Sequence, residues 1–170
     1  MLDRTLAVAG LALLVVLPVG CADPDRQPCA ERAGVAEPLS RATLTVREAE
    51  VSAELARTES ERASAWVDRR CDLDGLLWIP DEVGTVSIGL CRVQVAVDLA
   101  LLREGRVVGM ERDRAPCDGP CDACPLYGDD GPEVDAVLWL LAGEVEIEVG
   151  DAIGGLDEVD LPAVDATSTG

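Results

Sequence analysis

The chain has 170 residues, of which 48% are apolar, and this is enough to close the core of one domain. It carries 33 acidic against 14 basic residues, a formal net charge of −19, which argues against nucleic acid as a partner. His and Lys are both absent, which excludes Ser-His-Asp and Cys-His nucleophiles, H-E-x-x-H zinc sites, phosphate-loop lysines and Schiff bases.

The chain begins with a predicted export signal followed by a tether. An apolar run from Leu6 to Leu17 is too short to span a bilayer comfortably, since a spanning helix needs ~20 apolar residues. Residues 1–20 are therefore predicted to be a signal peptide. Residues 21–43 are rich in Asp, Pro, Arg, Glu and Ala without a period, and they are predicted to be a linker.

The end of the apolar run, Leu17-Pro18-Val19-Gly20-Cys21, resembles the lipobox of bacterial lipoproteins. In that family a small residue precedes a cysteine that receives diacylglycerol and becomes the new N-terminus. The resemblance is limited to the signal segment, and it implies that Cys21 anchors an exported protein to a membrane of the cell envelope, facing away from the cytoplasm. Ordinary signal-peptidase cleavage after Ala22 is the alternative.

The cysteine count predicts a disulfide framework. The sequence has seven cysteines, and either cleavage removes Cys21 from pairing. An even number of cysteines in an exported chain is typical of disulfide bonding, although the connectivity stays open. The predicted framework consists of Cys29, Cys71, Cys91, Cys117, Cys121 and Cys124.

The spacing C-x3-C-x2-C from Cys117 to Cys124 raises three competing hypotheses. Radical enzymes with a similar spacing hold an iron–sulfur cluster near the start of a large barrel, whereas only a short segment follows Cys124. Asp118 and Asp122 would raise the pKa of a C-x-x-C thiol, which disfavours redox catalysis. A Cys-only zinc site would need Cys91 as its fourth ligand. We predict disulfides here, with no metal and no cofactor.

The first element of the folded body is ambiguous between helix and strand. Residues 47–70 are rich in Ala, Glu, Arg and Leu, and their apolar residues fall roughly on one face, which predicts a helix. Arg62 interrupts that face. The alternative pairs a short strand at Leu44 to Val46 with another at Val51 to Leu55.

Three later stretches predict strands. In residues 93–101, Val and Leu alternate with Gln94, Ala96, Asp98 and Ala100, which is typical of a half-buried strand. Glu104-Gly105 can turn this strand into a second one at 106–110. Ala142-Gly143 can likewise join residues 136–141 to residues 144–149.

Together these elements predict an α+β domain at 44–162, in which one helix packs on a small antiparallel sheet stapled by disulfides. An all-β sandwich is the alternative. Residues 163–170 are predicted to be a frayed tail. Trp66, Trp78 and Trp139 are predicted to be core anchors and not a ligand cage.

The predicted function is that of an exported, membrane-anchored, noncatalytic module with a binding or structural role. Its partners would be the membrane, through the lipid anchor, and an unidentified envelope protein or ligand, but no nucleic acid. One alternative is an exported enzyme that uses carboxylate or C-x-x-C thiol chemistry. Another is a calcium-binding module at Asp72-Leu73-Asp74-Gly75, which is similar to the middle of an EF-hand loop. A cleft with two facing carboxylates would favour the enzyme.

Overall fold

A computed structural model describes residues 39–64, 66–69, 73–117 and 119–163. The regular secondary structure of this part of the chain is mostly strand, with a short helix and short 3-10 turns. The helix and strands in chain order are β1 (Arg41–Val46), β2 (Ala49–Ala56), α1 (Glu59–Ser64), β3 (Gly75–Trp78), β4 (Ile88–Gly89), β5 (Val97–Arg103), β6 (Arg106–Arg114), β7 (Leu126–Tyr127), β8 (Ala136–Leu141) and β9 (Ile153–Gly154).

Seven of the strands form one sheet, in the order β6-β5-β8-β3-β2-β1-β9, while β4 and β7 form a separate two-stranded ribbon. Neighbours in the sheet are antiparallel except β2 and β3, which are parallel. The two edges of the sheet meet where Arg106 of β6 bridges to Ala152 beside β9. There the N–H of Val107 donates to the carbonyl of Asp151 at 2.9 Å. The sheet is therefore curled into a half-barrel.

The predicted α+β arrangement is wrong, since the curled sheet dominates the described chain and α1 is only six residues long. The all-β alternative fits the structure. Much of the region predicted to be helical lies in the β1–β2 hairpin, where Leu44 pairs with Val51 and Val46 with Ala49. The hairpin alternative is thus confirmed. Pairing of β2 with β3 on its other side outweighs the helix-favouring composition of this segment.

Two side chains at its first turn fix where helix α1 begins. Thr58 Oγ accepts the N–H of Glu61 at 3.2 Å, and Glu61 Oε2 accepts the N–H of Thr58 at 2.8 Å. This reciprocal arrangement is a capping box, which satisfies donors that a helix start leaves without partners. The backbone N–H groups of Thr58 and then Arg57 hold the pKa of the Glu61 carboxyl below its ordinary value.

The predicted hairpin at Glu104-Gly105 is confirmed, because β5 and β6 flank these two residues and pair antiparallel. Both turn residues have positive φ, 50° and 70°, as a tight two-residue turn requires. Asp135 Oδ2 accepts the N–H of Glu104 at 2.6 Å and fixes the turn. Strand β5 differs from the prediction in being buried on both faces, since the sheet is covered on each side.

Of the hairpin predicted around Ala142-Gly143, the first strand is confirmed and the second is wrong. Strand β8 lies where expected, but residues 144–149 are not a strand. Strand β8 already has β5 on one side and β3 on the other, so no edge remains for a hairpin partner. The chain turns away instead, with the N–H of Gly143 donating to Asp98 Oδ2 at 3.1 Å.

The two faces of the sheet carry separate apolar clusters. All seven strands of the sheet contribute to the first, which the half-barrel encloses, and we call it the inner cluster. The second lies on the opposite face of β3, β5 and β8, and we call it the outer cluster. The inner cluster includes Leu55, Leu77, Leu102, Leu138, Ile147 and Ile153. The outer cluster includes Trp66, Leu76, Val93, Leu99, Val137 and Trp139.

In the described part of the chain, no helix has both the length and the apolar character needed to cross a bilayer.

Candidate binding site

A cavity of about 310 Å³ lies in the outer layer, which is the set of loops, α1 and the β4–β7 ribbon that cover the outer cluster. Trp66, Leu76 and Trp139 line it, and each of them is at most 5% exposed. Gly89 and Val93 also contribute to the lining. Pockets that bind small molecules begin at roughly 300 Å³, so the cavity suits a small ligand.

The two tryptophans of the cavity pack against each other. The ring centroids of Trp66 and Trp139 are 6.0 Å apart and the ring planes meet at 80°, which is an edge-to-face arrangement. The prediction that these residues anchor the core is confirmed, since they are 2% and 5% exposed. Neither indole Nε1–H has a hydrogen-bond acceptor among the described residues. Buried donors of this kind are commonly satisfied by ordered water or a ligand.

Trp78, the third tryptophan, is half-buried at the end of β3. The Arg62 guanidinium lies over its ring, 5.5 Å from the centroid. Arg62 also donates to the carbonyl of Ile79 at 2.9 Å and to Asp81 Oδ2 at 2.7 Å. This arginine, which interrupts the apolar face expected for a helix, therefore ties α1 to the end of β3.

Among the described lining residues of the cavity, the two charged side chains are both cationic. Arg62 and Arg92 are lining residues, and the described lining residues include no acidic side chain. Arg92 is the more accessible of the two, with its side chain 63% exposed. Its Nε donates to Asp68 Oδ1 at 3.3 Å and its Nη2 bonds the other carboxylate oxygen. An ion pair between groups so exposed contributes little to stability.

A buried ion pair supports the wall that carries Trp66. The Arg69 guanidinium donates to both oxygens of Glu54, at 2.6 and 3.0 Å, and both residues are at most 5% exposed. Arg41 adds a third contact to the same carboxylate at 3.1 Å. Removing one member of such a pair leaves the other charge buried without compensation. The pair thus holds residues 66–69 against the sheet beside the cavity.

Two disulfides fasten the outer layer. One joins Cys91 to Cys121, across 30 residues, and the other joins Cys117 to Cys124, across 7 residues. Cys91 and Cys121 also line the cavity. The C-x-x-C pair Cys121 and Cys124 is therefore not bonded to itself, and each of its members holds a different partner. The remaining residues of the predicted set, Cys21, Cys29 and Cys71, lie outside the described residues.

Nothing in the described part of the chain gathers three or more His, Cys, Asp or Glu side chains into a metal-binding group. The EF-hand-like segment leads directly into strand β3. Its Gly75 begins β3 and pairs with Ala53, and a Cβ there would lie 2.6 Å from Val51 Cγ1. The glycine is needed for close packing of two strands, while Asp72 lies outside the described residues.

The buried carboxylates other than Glu54 hold turns. Asp98 accepts the N–H of Asp113 at 2.7 Å and that of Gly143 at 3.1 Å. Asp135 accepts the N–H of Glu104, as described above. Each therefore has a structural role in the arrangement of β5 and its neighbours. The described residues do not form a cleft in which two of these buried carboxylates face each other.

A shifted pKa occurs at the seam where the edges of the sheet meet, away from the cavity. The backbone N–H of Glu148, followed by the Arg47 guanidinium, holds the pKa of the Asp151 carboxyl below its ordinary value. Asp151 in turn raises the pKa of Arg47. Arg47 lies in the turn of the β1–β2 hairpin, with φ of 54°, so this pairing ties the hairpin turn to the segment before β9.

Sequence reasoning missed the cavity as a site, although it singled out two of its tryptophans and two of its cysteines. The lining comes from α1, the 66–67 segment, β3, the β4 region, Cys121 and β8. No local spacing joins these segments, so no motif marks the site. One local signal was present: Arg92 is surrounded by apolar residues in a chain that is otherwise strongly acidic.

Comparison with known proteins gives a family and a fold. The DUF192 family, described as "Uncharacterized ACR", matches residues 42–155. A proposed transcription regulator from Sinorhizobium meliloti 1021 is 22% identical with a TM-score of 0.55, and the match covers 68% of this chain and 92% of that one. A protein of unknown function from Novosphingobium aromaticivorans is 20% identical with a TM-score of 0.53, covering 72% and 90%.

No curated protein matches the chain. At these identities the two solved structures establish a shared fold and nothing more, and neither they nor the family description assign a catalytic activity. The match to the family spans most of the half-barrel, from β1 to β9. The chain therefore belongs to the DUF192 family.

Proposed function

We propose that this protein is an exported, lipid-anchored and noncatalytic binding module of the cell envelope, with its ligand site in the outer-layer cavity. The observation that carries the proposal is the pair of disulfides Cys91–Cys121 and Cys117–Cys124. Disulfides persist in oxidising compartments outside the cytoplasm. They agree with the export signal at 1–20 and the lipobox-like cysteine Cys21.

The distribution of carboxylates supports binding over catalysis. Glu54 is engaged by arginines, and Asp98 and Asp135 accept backbone N–H groups. General acid–base chemistry needs a pair of carboxyl groups that face a substrate, and the described lining of the cavity contains no carboxylate. A panel of glycoside, ester and peptide substrates should give no turnover above background. Turnover abolished by a single Asp or Glu substitution would contradict this.

Charge supports a partner other than nucleic acid. The Sinorhizobium neighbour is described as a proposed transcription regulator, but that description belongs to a protein with 22% identity. With a formal net charge of −19, this chain would repel a phosphate backbone, because binding DNA requires neutralising phosphates with cationic side chains.

The anchor is tested by fractionation. The full chain and Cys21→Ala are expressed in a bacterium, and membranes are separated from the soluble fraction. We expect the wild type in membranes with a diacylglycerol mass on its N-terminus, and the variant in the soluble fraction. Cys29→Ala is the matched control and should partition as the wild type. If wild type and Cys21→Ala partition alike and no diacylglycerol mass is found, the anchor is refuted.

A further inference from the structure

The outer cavity differs in charge from two further cavities of the described structure. Acidic side chains line both of those: Glu104 and Asp157 in one, and Glu50, Asp74 and Glu144 in the other. The outer cavity is lined by Arg62 and Arg92, with no acidic residue among its described lining residues. Each of these arginines is paired with a carboxylate outside the lining, Asp81 and Asp68, but within a chain of net charge −19 the described lining itself is cationic. It favours an anionic group on the ligand.

The remainder of the lining favours an aromatic body for the ligand. The edge-to-face pair Trp66 and Trp139 lines the cavity together with Leu76 and Val93. Aromatic rings gain additional attraction when they stack or meet edge to face at such pairs. At about 310 Å³ the cavity accommodates a small molecule and not a folded partner.

Arg92 is the cation available to the ligand. Arg62 is committed to the carbonyl of Ile79 and to Asp81, and its side chain is only 10% exposed. Arg92 instead pairs with Asp68 at a site where both side chains are largely exposed, at 63% and 47%. A pair of this kind is weak, so a ligand carboxylate can replace Asp68 on the guanidinium, which binds carboxylates through two parallel hydrogen bonds.

We propose that the outer cavity binds a small aromatic carboxylate, with the ring against Trp66 and Trp139 and the carboxylate on the Arg92 guanidinium in exchange for Asp68. The inference rests on the proposed binding function but not on the lipid anchor. Fractionation tests the anchor separately, so a failure of the ligand is distinguishable from a failure of the anchor.

The test uses three probes with the same ring and different head groups: phenylacetate, phenylacetamide and phenethylammonium. The full-length protein is purified from the fraction that contains it, and binding is followed by tryptophan fluorescence and by thermal denaturation. We expect phenylacetate to bind with a Kd of about 1 mM, in keeping with the affinity limits of so small a molecule. The amide should bind about fivefold more weakly, and the ammonium more weakly than the amide.

Two variants should change phenylacetate binding in opposite directions. Arg92→Asn removes the cation and should abolish the preference for the acid over the amide. Asp68→Asn removes the competing carboxylate and should tighten phenylacetate binding. Both positions have positive φ, 61° and 57°, a conformation that Asn tolerates better than most residues, so both variants should fold. Arg106→Gln removes an exposed arginine outside this cavity and should leave binding unchanged.

Several results would overturn the inference. These are a phenylacetate Kd weaker than about 10 mM, equal binding of acid and amide, stronger binding of the ammonium, or an unchanged preference in Arg92→Asn. Weaker phenylacetate binding by Asp68→Asn would also contradict the proposed exchange. In each case the membrane fractionation result would stand independently.

Discussion

The inner and outer clusters lie on opposite faces of β3, β5 and β8, but different structures complete them. The inner cluster is closed by the sheet itself, whose edges meet at Arg106 and Ala152. The outer cluster is covered by loops, α1 and the two-stranded β4–β7 ribbon, and two disulfides hold this cover in place. The cavity, the unpaired indole N–H groups and the buried Glu54–Arg69 pair all lie on the outer side. The comparison indicates that the inner face provides stability, while the outer face carries the site proposed to bind a ligand.

The largest effect is expected from truncating the inner cluster. Leu76 and Leu77 are adjacent in β3 and nearly fully buried on opposite faces, at 1% and 0% exposure. Leu77→Ala should lower the free energy of unfolding by about 4 kcal/mol, because a closed core cannot collapse around the lost methyl groups. Leu76→Ala should cost about 2 kcal/mol, because Leu76 already borders a cavity. Urea denaturation measures both, and equal or reversed losses would contradict the contrast.

The next largest effect should come from the buried ion pair of the outer side. Glu54→Gln leaves the Arg69 charge in a site that is 5% exposed, and it should lower the free energy of unfolding by about 3 kcal/mol. The matched control is Asp81→Asn, which breaks the ion pair with Arg62 at a carboxylate that is 80% exposed. That substitution should cost less than about 1 kcal/mol. Similar losses in the two variants would show that burial of the Glu54 pair is unimportant.

The disulfides should stabilise the outer layer according to loop length. The double substitution of Cys91 and Cys121 by Ser should cost about 2–3 kcal/mol, and that of Cys117 and Cys124 about 1 kcal/mol less. The reason is that the first bond closes the longer loop, 30 residues against 7. Thermal denaturation of the two double variants shows which of them loses more stability. A larger loss for the shorter loop would contradict the entropic explanation.

The smallest effect on stability is expected from a change of pH, through Asp151 at the seam. The N–H of Glu148 and then Arg47 lower the pKa of Asp151, so Asp151 stabilises the folded state at neutral pH. That contribution is lost as the pH falls through the folded-state pKa. The difference in unfolding free energy between wild type and Asp151→Asn should therefore be largest near neutral pH and shrink toward acidic pH. A difference that stays constant with pH would exclude this linkage.

Local features of the fold could be predicted from the sequence, and non-local ones could not. Glu104-Gly105 marks a hairpin because the turn and its flanking strands are contiguous in the chain. The prediction of a helix at 47–70 is wrong because β2 pairs with β1 on one side and with β3 on the other. Strand β3 is parallel to β2 and follows α1 in the chain. The prediction of a strand at 144–149 is wrong because β3 and β5 occupy both sides of β8. The residues at 136–149 do not by themselves indicate that β3 and β5 are the neighbours of β8.

The candidate site was predictable only in part, for a similar reason. The sequence predicted that its three tryptophans are core anchors, and two of them, Trp66 and Trp139, line the cavity. The pairing of Cys91 with Cys121 could not be chosen, because six cysteines allow many connectivities. The positive lining depends on bringing Arg62 of α1 and Arg92 to the same cavity, which tertiary folding alone achieves.

Hydrogen–deuterium exchange of the full-length protein with and without saturating phenylacetate tests most directly whether the outer layer carries the binding site. We predict slower exchange in the segments 62–67 and 89–93, which contain lining residues such as Arg62, Trp66 and Arg92. Exchange at the seam, residues 104–106 and 152–157, should be unchanged, although a cavity also lies there. Protection at the seam, or no protection at 62–67 and 89–93, would contradict the assignment of binding to the outer layer.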